Sequence, residues 1–173
     1  AGYDNLCHLV SKAHLERPLE FEPHVRIGDL DGRTDGLIAF TGASEGAVTR
    51  LLAEGQQSHA EALLDRLQAL FPDRLYIELA RRGDPVEERA EAALVDLAYA
   101  RDLPLVATNP ANFAEPHMHK AHDAMLCIAG STHVDAEERA RSNPESYVKT
   151  YHMMEEAFAD LPEAVQNTVV VAQ

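Results

Sequence analysis

Three short apolar runs separated by helical patterns constrain this chain most. Residues 36–41 (GLIAFT), 75–79 (LYIEL) and 103–108 (LPLVAT) read as strands. Between them lie patterns with helical spacing, at about 47–53 and 58–70 and then at about 85–101. In the second pattern Ala62, Leu63, Leu67 and Leu70 share a face, and Phe71-Pro72-Asp73 ends it. In the third, Pro85 suits a first helical turn, Glu87 and Glu88 complement the dipole there, and Arg101 sits at the far end. Pro104 confines the last strand to a start or an edge position. Strand–helix–strand–helix–strand order requires crossovers, so the strands pair in parallel and the fold class is α/β.

The flanks differ in texture. Residues 2–13 place Leu6, Leu9, Val10 and Ala13 at helical spacing, which predicts an amphipathic helix. Residues 14–35 are polar and irregular, with Pro18, Pro23 and Gly28. From about residue 114 the chain reads as a helical C-terminal part, with helices over 118–128, 144–147, 152–158 and 162–171. No repeat or linker divides it, so residues 1–173 are expected to form a single domain.

Charge and cysteine content narrow the function. A net charge of −14 repels a phosphate backbone, so direct DNA binding is not expected. No apolar run reaches the ~18–20 residues of a membrane span, and residues 1–11 lack the basic start and apolar centre of a signal peptide. Cys7 and Cys127 sit among apolar neighbours and read as buried free thiols in a reducing cytoplasm. His8, His14, His24 and His59 are scattered and read as surface or cap residues, and Met153 and Met154 as core filler. The loop Gly42–Gly46 has no following Lys and is not a phosphate loop, and Ser44 has no His assigned to it.

Five stretches in order resemble one family, the alpha subunit of bacterial DNA polymerase III, with the alphaproteobacterial replicative form as the nearest kind. They are GYDNLCHLVSKAH at residues 2–14, GLIAFTGASEG at 36–46, DRLYIELARRG at 73–83, LPLVATNPANFAEPHMHKAHDAMLCIAG at 103–130 and MMEEAFADLPEAVQNTVVVA at 153–172. The resemblance implies the later part of the N-terminal PHP domain, a distorted (β/α)7 barrel, here partial and lacking its first strands. The chain opens on Ala1, which fits an excised segment and equally a processed N-terminus. Nucleotide transfer would belong to the parent polymerase, whose palm and its Mg lie outside these residues.

Active PHP barrels of this resemblance hold three metals on His, Asp, Glu and Cys. The family's Cys after Thr-Gly corresponds to Ala43, its strand-end His to Arg82, and its later Asp and His to Pro110 and Asn112. Ala and Pro offer no donor, Arg is a permanent cation, and Asn offers only a neutral carbonyl. The expectation is a degenerate site, with no catalytic residue, no metal and no cofactor in this segment. Residual candidates are Glu78, whose plainer reading is a strand residue paired with Arg81 or Arg82, and a cluster of His117, His119, His122 and Asp123. In that cluster His119 and Asp123 stand four apart, a spacing that suits a metal on a helix face. His122 and Asp123 read as structural.

The function implied is a non-catalytic scaffold that supports the polymerase chain and docks the proofreading exonuclease subunit. The alternative is a metal-dependent phosphoesterase or 3′–5′ exonuclease. An unpaired strand edge in the partial barrel predicts some self-association.

Overall fold

A computed structural model describes residues 1–16, 18 and 20–173 of the chain. Arg17 and Leu19, which fall within the predicted irregular stretch, lie outside the described residues. Strand β1 (Ala39–Phe40), strand β2 (Leu75–Leu79) and strand β3 (Leu105–Ala107) form a parallel sheet in the order β1-β2-β3. Helices α2 (Ala47–Ala53) and α3 (Gln57–Leu70) make the first crossover and α4 (Pro85–Ala100) the second. The α/β reading and the parallel pairing both hold.

The central strand explains the sheet. Leu75, Tyr76, Ile77 and Leu79 are all buried, as expected of a strand covered on both faces. Ile77 pairs with Leu105, and Ala39 with Leu75. The core runs from Val48 and Leu64 through Ile77, Leu94 and Leu105 to Phe158 and Val165. α4 starts where its sequence directs it. The Asp84 carboxylate accepts the Val86 N–H at 2.8 Å, and Pro85 opens the first turn.

The two sheet margins differ. On β1, Ala39 and Thr41 donate to carbonyls of Arg74 and Tyr76, while the opposite side has no strand among the described residues. Ile38 and Phe40 are exposed there. On β3, the Asn167 side-chain amide of α7 (Pro162–Val171) donates to the Leu105 carbonyl at 2.7 Å. Pro104 directly precedes β3, and β3 is an edge of the sheet among the described residues, both positions that a proline allows.

Several expectations need correction. The first strand is shorter than residues 36–41, because the chain enters it from a tight contact. There Gly36, at φ +74°, lies so close to Gly2 that a Cβ on Gly2 would sit 2.1 Å from the Gly36 carbonyl oxygen. Helix α1 (Gly2–Leu15) forms, but Leu9 is its one buried residue; Leu6 and Val10 are about half exposed, and Cys7 is exposed rather than buried. Cys127, in α5 (His119–Ala129), is buried as expected. No helix forms at 144–147. The Asn143 side chain caps a turn by accepting the Glu145 N–H, and Tyr147 then bridges to Phe113 in a strand-like pair. Residues 27–30 form a single 3₁₀ turn inside the irregular stretch. Helix α6 (Tyr151–Ala157) is capped by Thr150. No helix of the described residues is long and apolar enough to cross a membrane.

Candidate functional site: the carboxyl ends of the strands

The four positions singled out by the resemblance lie just beyond the C-terminal ends of the three strands. That is the end where open parallel sheets carry their sites. Ala43 follows β1, Arg82 follows β2, and Pro110 and Asn112 follow β3. The loop after β1 is tight. Gly42 has φ +76°, and a Cβ on Gly46 would sit 2.1 Å from the carbonyl oxygens of both Thr41 and Gly42. Thr49 Oγ1 donates to the Gly42 carbonyl at 2.9 Å and pins this loop to α2.

Protein groups stitch these strand ends together. The Glu78 N–H donates to Thr41 Oγ1 at 3.0 Å, and Thr108 Oγ1 donates to Glu78 Oε1 at 2.6 Å. A polar line therefore crosses from β1 through β2 to the end of β3. Glu78 does not pair with Arg81 or Arg82. Those residues follow the strand, and their side chains reach α4 instead, whereas Glu78, in register with Val106, meets Thr108 just past the end of β3.

Arg82 occupies the middle of this end. Its guanidinium donates twice to Glu87 Oε1, at 2.8 and 3.0 Å, and to the Ser44 hydroxyl at 2.8 Å. Both partners are sequestered: the side chains are 14% and 6% exposed. Glu87 Oε2 has no hydrogen-bond partner among the described residues. Asn143 Nδ2 donates to the Arg82 carbonyl, and the Asn112 N–H donates to the Ser146 carbonyl. These contacts fasten the 142–147 loop over the same end.

Arg81 points elsewhere. It is ion-paired with Glu91 at 2.6 Å and with Asp160 at 2.5 Å, donates to the Ala157 carbonyl, and lies 4.7 Å from the Phe158 ring centroid. Hydrogen bonding to Arg81 lowers the Asp160 carboxyl pKa to about 2.

The histidine cluster divides. His117 is exposed, with its Nδ1 3.1 Å from the Glu115 carboxylate. His119 Nε2 lies 3.0 Å from the Ser142 carbonyl, and His122 Nδ1 lies 2.7 Å from the Ser142 hydroxyl. Asp123 receives two bonds from Arg139, at 2.7 and 2.8 Å, and the Ser142 N–H at 3.0 Å. Arg139 first and the Ser142 amide second hold the Asp123 carboxyl far below the usual carboxylate range. These donors all converge on one loop. Among the described residues, no group of three or more His, Cys, Asp or Glu is placed to hold a metal ion.

Sequence reasoning missed two partners. Glu87 was visible only as a first-turn helix residue, and its spacing from Arg82 carries no motif. Arg139 lies in an irregular stretch sixteen positions from Asp123, beyond any helical or strand periodicity.

The PHP domain family matches residues 1–82. DNA polymerase III subunit alpha of Caulobacter vibrioides is 42% identical over 172 residues, which is 99% of this chain. The subunits alpha of Pseudomonas aeruginosa and Escherichia coli are 35% and 36% identical over 173 residues. In each case the chain spans about 15% of the relative's own length.

Proposed function

Since this chain belongs, as a segment, with the bacterial DNA polymerase III alpha subunits, we propose that it is a non-catalytic PHP scaffold within a replicative polymerase. The polymerase reaction, with its Mg, resides elsewhere in such a subunit. The three-stranded sheet is then part of a distorted barrel, a reading supported by the open margin of β1. The observation that carries the proposal is the Arg82–Glu87–Ser44 cluster. A guanidinium stands where the resemblance places a ligand, and a permanent cation there repels a metal. Glu78, the remaining carboxylate, is committed to Thr108. Ala43 and Pro110 supply no donor atom. The residues present do not fit a metal set, and no hydrolytic step is derived through one.

A scaffold needs a surface for its partners, which in this reading are the rest of the polymerase chain and a proofreading exonuclease subunit. The −14 charge favours protein partners over DNA. Elemental analysis of the chain, alone and within a full-length subunit, tests the central claim after purification without chelator. Transition metal well below stoichiometry, with no cleavage of single-stranded DNA ends in added Mn²⁺ or Zn²⁺, is the expected result. A stoichiometric ion with chelator-sensitive cleavage would replace the scaffold by the phosphoesterase reading.

A further inference from the structure

An open groove of about 560 Å³ lies between α4 and the α6–α7 junction, on the side of α4 next to Glu87. Its apolar lining is Ala92 together with Val95 and Leu161, both half-buried against the core. Its acidic lining is Glu88, Glu91, Asp96 and Asp160. Arg81 neutralises two of these, Glu91 and Asp160. Glu88 and Asp96 are exposed and have no cationic partner among the described residues. They stand eight residues apart on one helix, about 12 Å at ~1.5 Å per residue. Tyr99, 60% exposed, follows Asp96 on α4 and bonds to Glu163 of α7. From Glu88 to Asp96 the lining of the groove covers about two helical turns.

We propose that this groove docks a basic amphipathic helix of a partner protein, with apolar side chains on Val95 and Leu161 and cations seven or eight residues apart against Glu88 and Asp96. An apolar lining with bare carboxylates beside it complements such a helix on both counts. A second copy of this chain is a poor source, because each of its helices among the described residues carries at most one Lys or Arg. Nucleic acid is opposed by the same carboxylates. The inference goes beyond the scaffold reading and stands on the groove alone.

The probe is a fluorescent synthetic helix with leucines at one-face spacing and two lysines seven residues apart, titrated by anisotropy against the whole chain. Saturable one-to-one binding is expected. Glu88→Lys with Asp96→Lys should weaken it on the order of tenfold or more, as should Val95→Asp alone. Glu137→Lys with Glu138→Lys makes the same charge change on a remote exposed loop and should leave affinity nearly unchanged. Equal weakening by both charge pairs would reduce the effect to net charge and overturn the assignment, as would a failure to saturate. Light scattering that shows dimers abolished by Val95→Asp would also overturn it, since the occupant would then be another copy.

Discussion

Replacing Arg82 by Ala removes the only partner of a buried carboxylate oxygen that has good geometry. Glu87 would keep just the Ser44 N–H, at 3.4 Å, and its Oε2 is already unpartnered among the described residues. With the Glu87 side chain 6% exposed, water cannot replace the guanidinium without opening the loop after β1. Breaking such a pair from one side costs about 3–5 kcal/mol. In a chain of this length that lowers the melting temperature by about 6–20 °C. Urea unfolding followed by far-ultraviolet circular dichroism reads the loss directly. The informative companion is Arg82→Met with Glu87→Leu, which removes both charges and leaves apolar groups of similar bulk. It should return to within about 1 kcal/mol of the parent. The reasoning fails if the single variant loses less than about 1 kcal/mol. It fails equally if the double variant is as unstable as the single, because the cost would then not be an uncompensated charge.

Two further perturbations probe the same end of the molecule and its flank. Gly46→Ala forces a Cβ onto two backbone oxygens and should cost about 2–3 kcal/mol; Gly28→Ala, with open space around its Cβ, should be close to neutral by the same unfolding assay. Asp160 titrates at about 2 because of Arg81. A carboxyl with a depressed folded pKa adds stability above its unfolded value near 3.8 and loses it as pH falls toward 2. Carboxyl-carbon NMR titration should place the Asp160 midpoint near 2, and Arg81→Met should move it up toward the ordinary range; an unchanged midpoint would show that the pair does not form in solution.

Much of the layout was legible because periodicity and turn chemistry agree along the crossovers. LYIEL has the strand composition and length that a doubly covered strand needs, and Asp84-Pro85 marks a helix start without ambiguity. Legibility stopped where partners are distant in sequence. The Leu6 and Val10 pattern identifies a helix but not whether anything covers its apolar face, and here Cys7 comes out exposed. Pro144 looked like a first helical residue, yet the Ser146 carbonyl and Tyr147 are claimed by Phe113 and its neighbour, a tertiary contact that outweighs local propensity. At the candidate site, the residue types announced which donors are missing. They did not announce that Arg82 closes on Glu87 or that Glu78 turns to Thr108, because both choices follow from strand register and loop direction.

The bond from Asn167 to the Leu105 carbonyl gives the sheet a direction of growth. A strand arriving at β3 must first displace a side chain that already satisfies the backbone, whereas one arriving at β1 meets groups with no rival claim among the described residues. Extension is therefore one-sided. A further strand, from the same polypeptide or another, would enter beside Ile38 and Phe40 and leave the α7 side as it stands, so the molecule can be lengthened at one margin without its core being reopened at the other.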